Sequence, residues 1–259
     1  MSLFPPGLEP VDDLEPAAWV REGLKDRPGG RFRVRDLVPP VFDAYARILH
    51  QTRREDHARR HIGTWAERAS GLGRELGSAT SWWDLMGTAP FGGEPDPSMP
   101  DIGCLTEDEV RRLVRFLDTR TASAACWFGI WEGWGFLSPS GHALLRREGS
   151  WLLELLERWR VSARARREVR ESVGRATIEL PGRSYLLVGG TVEDATRFIF
   201  QGSFQSPSLW WADDRSWFVH TEIDGMSTYV GGAREMVDRL VGEQVLESFE
   251  VGADDLAVL

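Results

Sequence analysis

The stretch Trp217–Asp224, WFVHTEID, is rich in aromatic and β-branched residues and reads as a strand. Side chains on a strand point alternately to opposite faces. Trp217, Val219, Thr221 and Ile223 therefore share one side, and Phe218, His220, Glu222 and Asp224 share the other. The first side reads as a helix-covered core. The second sets His220, Glu222 and Asp224 in a polar row roughly 13 Å long at about 3.3 Å per residue. Neighbours in that row can share a metal or a proton. The row either faces bulk water or lines an open concavity. This run alone commits the chain to a sheet with one apolar side.

A second run has the same bias. CWFGIWEGWGF, from Cys126 to Phe136, is dense in aromatic and β-favouring residues and reads as a buried strand. Two long aromatic strands are expected side by side, with Trp210–Asp224 as a central strand next to Trp127–Trp134. Glu132 then stands in aromatic surroundings. A charge is rarely buried without a partner, so it either bonds an arginine and backbone amides or faces a cleft with a raised pKa. If it faces a cleft, Glu132 and Glu222 form a candidate pair of catalytic carboxylates, with His220 assisting. Trp127, Trp131, Trp134, Trp211 and Trp217, with Asp224, are the candidate ligand-binding set. Twelve tryptophans in 259 residues fit a packed core as well as an aromatic cleft.

The rest of the chain alternates helix and strand irregularly. Residues 1–31, rich in proline and acids, read as a flexible N-terminal arm with a short helix near Ala17–Leu24. Phe32, Val34, Leu37 and Val38 suit an extended segment, and FDAYARILH suits a strand or a short helix. Thr64–Leu76 reads as a short helix. Thr106 with Glu109 makes a capping box, and Val110, Leu113, Val114 and Leu117 follow at helical spacing. TIELPGRSYLLVGG gives two strand pieces about a Pro-Gly turn, and LESFEVGADD a last edge strand. Residues 32–259 are expected to form a single α+β domain, with a mixed or mostly antiparallel sheet packed by helices. A basic helical segment, 141–173, stands inside it as a possible insertion. Its arginines, Arg158 to Arg170, read as a solvated face paired with glutamates.

Two patterns, W-F-x-x-W-E-G-W-G at Trp127–Gly135 and L-W-W-x-x-D-R-x-W-F-V-x-T-E-I-D followed by T-Y-V-G-G at Leu209–Gly232, resemble those of a group of uncharacterised actinobacterial proteins. The resemblance runs from about Leu37 to Glu250. It implies the extent of the domain and no activity. Ala212 stands where the group's pattern suggests proline, and Ala233 where it suggests serine, which removes a helix cap and weakens anion binding there.

Charge and motifs narrow the function classes. A net charge of −9 argues against a nucleic-acid partner. No apolar run reaches the ~18 residues of a membrane span. Two cysteines do not make a disulfide framework, so the cytoplasm is the expected compartment. No metal-ligand spacing, cofactor fingerprint or nucleophile elbow occurs, so neither metal nor cofactor is expected. The two strand–Gly-Gly–helix sequences, at Gly189–Gly190 and Gly231–Gly232, read as tight turns. His50, His57 and His61 read as surface residues. Two readings of function follow. One is a binding or interaction protein, immunity- or sequestration-like, that grips a protein or small molecule in an aromatic and acidic cleft. The other is a hydrolase-type enzyme working with Glu132, Glu222 and His220.

Overall fold

The structure, a computed structural model, describes residues 4–25, 31–56, 59–88, 98–119, 125–134, 137, 175–200 and 202–259. The arginine-rich segment 158–170 lies outside them. In chain order, a 3-10 turn and helix α1 (Ala18–Gly23) lead through a second 3-10 turn (Val34–Asp36) into strand β1 (Ala44–Leu49). The ribbon β2 (Thr52–Asp56) and β3 (Arg59–Gly63) precedes helices α2 (Trp65–Leu72), α3 (Trp82–Met86) and α4 (Glu107–Asp118). Strands β4 (Cys126–Trp131), β5 (Thr177–Leu180) and β6 (Arg183–Gly190) follow, then a 3-10 turn (Val192–Arg197) and the short pair β7 (Ile199–Phe200) and β8 (Ser203–Phe204). The chain closes with β9 (Leu209–Ala212), β10 (Trp217–Thr221), β11 (Ser227–Gly232), helix α5 (Arg234–Gly242) and β12 (Ser248–Val251).

Eight strands form one sheet in the order β12-β1-β11-β10-β9-β4-β6-β5. Every pairing in it is antiparallel. This is the expected α+β domain.

Helices bury one face of the sheet. The apolar stripe of α4, with Val110, Leu113 and Leu117, packs with Val237 and Leu240 of α5 against Phe128, Ile130, Trp210, Trp217 and Val219. The capping box of α4 forms as expected: Thr106 Oγ1 accepts from Glu109 N–H at 3.2 Å, and Thr106 N–H donates to Glu109 Oε2 at 2.7 Å. Trp217 and Val219 thus lie where their parity put them, whereas Ile223, beyond the end of β10, packs with the cluster of the opposite face.

The opposite face departs from expectation. The residues read as a flexible arm lie across it, with Ala17, Val20 and Leu24 buried against Trp211, Phe218 and Tyr229. Val34, Leu37 and Val38 join them, each fully buried. They stand on a 3-10 turn, not on an extended segment, because the spacing i, i+3, i+4 brings all three to one side. Trp19 meets Trp211 and Phe218 edge-on at 6.3 and 5.7 Å. That aromatic contact offsets the entropy of ordering the segment.

Trp210–Asp224 is a hairpin and not a single strand. Asp213 and Asp214 make the turn, with Arg215 N–H bonded to Ala212 O at 2.8 Å and Arg215 in the left-handed region at φ 58°. The neighbour of β4 is consequently β9, and β10 lies one strand further out. The glycine pair Gly231–Gly232 belongs to β11 itself. A Cβ on Gly231 would come within 2.5 Å of the Phe42 ring, and one on Gly232 within 2.2 Å of Met236 Cε. Close packing against the Phe42 ring and Val38, not a turn, favours glycine at 231, while at 232 the flexible Met236 tip can move aside. His50 is 1% exposed, contrary to the surface reading.

Candidate functional site

The nominated residues divide between the two faces. Trp217 lies in the helix-face core, edge-on to Trp210 at 5.7 Å. Trp211, stacked on Phe218 at 5.8 Å, lies on the arm face with Trp127 and Trp131. The aromatic set therefore does not line one cleft. The two faces are separated by the sheet, and Trp19 and Phe42 occupy the space above Trp211. Trp127 sits nearer the surface and its Nε1 donates to Asp213 Oδ1 at 2.7 Å.

The proposed carboxylate pair is divided in the same way. Glu132 N–H donates to Ser184 O at 3.0 Å, which carries the β4–β6 pairing one residue beyond Trp131↔Tyr185. By that alternation Glu132 sits on the side of Phe128 and Ile130. Glu222 reaches the other side, where Arg183 Nη2 donates to its Oε1 at 3.2 Å. Arg183 and Tyr185 share that side of β6, and the guanidinium stands 6.0 Å over the Trp131 ring. Glu132 and Glu222 are both buried, yet they do not converge on one reacting point.

What does converge is a chain of polar groups at the β10 end of the arm face. His220, fully buried, donates from Nδ1 to Leu37 O at 2.5 Å. Its Nε2 is 3.6 Å from Glu222 Oε2. Arg183 bonds Glu222 and also Asp224 Oδ2, at 2.7 Å. Asp224 is the outermost member, its side chain 39% exposed against 1% for Glu222. Beside Arg183, Trp131 and Trp134 meet edge-on at 5.3 Å. The two carboxylates hold Arg183 above the ordinary arginine range, against the opposing effect of its burial. Arg183 was absent from the sequence reading. Its signal was a lone cation at the head of the apolar run SYLLVGG, which must find a partner once the strand is buried.

Other buried groups serve the frame. Arg47, 1% exposed, donates from Nε to Ser227 Oγ at 2.9 Å and from Nη1 to the carbonyls of Ser78 and Thr80 at 2.7 and 2.8 Å. Burial without an acidic partner pulls its pKa down. Burial pushes the Cys104 and Cys126 thiols up, which disfavours the nucleophilic thiolate. Thr191 N–H and Oγ1 donate to Asp194 Oδ2 and close the start of the turn after β6.

Two surface hollows lie elsewhere. One, of about 270 Å³, opens between the β2–β3 ribbon and α2 beside Thr52, Gly63 and Arg68. The other, of about 500 Å³, is bounded by Arg74, Ser78, Thr80 and Asp84. None of the nominated residues lines either. Among the described residues no three His, Cys, Asp or Glu side chains gather into a metal-binding group, and no helix is long and apolar enough to cross a membrane. No family model, no curated protein and no solved structure matches the chain.

Proposed function

We propose that the chain is a binding or interaction protein whose contact surface is the corner built by Asp224, Arg183, Trp131 and Trp134. The observation that carries this reading is Asp224: it is 39% exposed while tied at 2.7 Å to an arginine that itself rests over a tryptophan. Tryptophan and arginine are the residue types that dominate binding hot spots. Here a guanidinium shared by two carboxylates fixes the geometry in advance, which lowers the entropy cost of association. The partner is a protein or small molecule that places a hydrogen-bond donor against Asp224 and an apolar group against the indoles.

The test uses the full chain, immobilised, with captured material identified by mass spectrometry. Asp224→Ala and Trp134→Ala should each abolish capture, and Asp214→Ala on the distant β9–β10 turn should retain it. Denaturation midpoints close to wild type would show that the fold survives. Capture that is equal in all three variants would refute the reading.

A further inference from the structure

The two buried histidines are bonded alike at one ring nitrogen and differently at the other. His50 Nδ1 meets Asp101 O at 2.7 Å, and His220 Nδ1 meets Leu37 O at 2.5 Å. A carbonyl only accepts, so in each ring Nδ1 carries the hydrogen. A neutral imidazole then has a lone pair at Nε2. For His50 this is satisfied, because Thr228 Oγ1 at 2.9 Å can donate to it while accepting from Thr221 Oγ1 at 2.8 Å. For His220 it is not. Nε2 faces Glu222 Oε2 at 3.6 Å and makes no other hydrogen bond. Two acceptors confronting each other in a buried site repel unless a proton stands between them.

We propose that His220 and Glu222 form a buried proton-binding site. One proton is held between Nε2 and Oε2, and it fastens the N-terminal segment at Leu37 to the sheet. The groups around it fit a bound positive charge. Glu222, from the end of β10, faces the ring directly. Arg183, from β6, and Asp224, from the following turn, continue outward. Tyr229 of β11 is the cross-strand neighbour. With the proton in place the charges alternate along the chain: His220 positive, Glu222 negative, Arg183 positive and Asp224 negative. Every charge then has an opposite neighbour, and the set sums to zero. Without the proton, a buried carboxylate faces a lone pair, and the imidazole that holds Leu37 loses its second anchor.

The experiment is side-chain ¹⁵N and carboxyl ¹³C NMR of the full chain at neutral pH. His50 serves as the internal control and should show one protonated ring nitrogen. His220 should show two, or one together with a protonated Glu222 carboxyl; either places the proton in the site. In Glu222→Gln the amide can donate to Nε2, and His220 should fall to one protonated nitrogen. Raising the pH until the wild-type His220 signal changes should lower the amide protection factors at Val34–Val38, taken relative to the intrinsic base-catalysed rate at each pH, roughly tenfold or more, with the same midpoint. A neutral His220 beside an ionised Glu222 in the wild type at neutral pH would overturn the proton site. Protection factors at Val34–Val38 that stay flat through the titration would overturn the fastening role. The wild-type spectrum decides the first point even if Glu222→Gln does not fold.

Discussion

Beneath α4 and α5 the sheet presents Phe128, Ile130, Trp210, Trp217 and Val219 to a mainly apolar cover. On the reverse face, Arg47, His220 and Glu222 are buried just as deeply. There the polar groups are held mainly by carbonyls, hydroxyls and opposite charges, with His220 Nε2 an exception, and the cover is made largely of 3-10 turns, one short helix and the C-terminal tail. Burial of the first kind is non-directional and follows area. Burial of the second kind depends on particular bonds, each expensive to leave unmade. The helix face should therefore fail by cavity formation and the arm face by the loss of single polar partners.

The largest effect is expected on the helix face. Trp217→Ala removes a fully buried indole and should cost about 3–5 kcal/mol in equilibrium denaturation. A loss below about 1 kcal/mol, small for a buried aromatic truncation, would mean that this core is less tightly packed than its contacts imply.

Next comes a pH effect at the edge of that face. Burial lowers the His50 pKa to about 4 from 6.5. The unfolded chain takes up a proton below about 6.5 and the folded chain only below about 4, so the stability contributed by the neutral ring is complete above 6.5 and is lost as pH falls through that window. At about 1.4 kcal/mol per pH unit, the loss is roughly 3 kcal/mol. Glu109 and Glu247, whose pKa values burial raises, act in the opposite direction. The clean measurement is the difference between wild type and His50→Gln in denaturant midpoints from pH 7 to 4. The wild type should lose the steeper share, and parallel curves would contradict the assignment.

A smaller effect is expected on the arm face. Arg47→Met keeps the length of the side chain but leaves the carbonyls of Ser78 and Thr80 without their donor. The cost should be about 2 kcal/mol, within the range for groups left unsatisfied. Fluorescence of Trp65, which lies 5.6 Å below the guanidinium, would report the local change. A variant as stable as wild type would mean that the arm face tolerates missing bonds, and the contrast between the faces would disappear.

Much of the helix face was legible in the sequence. The parity of Trp217 and Val219 and the stripe of α4 state directly which side chains are apolar together. The hairpin reads as one strand in the sequence, because the aromatic and β-favouring residues on both sides of Asp213-Asp214 outweigh that short turn signal. The arm face was not legible. Phe218, His220 and Glu222 alternate as an open sheet side would, and nothing local to that strand says that Leu37 or Val20 returns to cover it. The i, i+3, i+4 spacing of Val34, Leu37 and Val38 fits a buried turn, but so short an apolar run suits an extended segment equally well. Arg183 became legible only when β6 placed it beside Glu222, about forty residues away in sequence, because ion pairs between distant elements leave no periodic trace.

The central claim is that the His220 side of the sheet is a sealed interior. Hydrogen exchange of the full chain tests it most directly. Val34 and Arg35 amides bond Asp255 and Ala253 carbonyls, and those of Leu37 and Val38 bond Val34 O. A sealed face predicts protection at Val34–Val38 within about tenfold of that at Trp217–Thr221, since both then open in the same unfolding event. Exchange at Val34–Val38 near the rate of an unfolded peptide, with β10 still protected, would show the face open to water and contradict the claim.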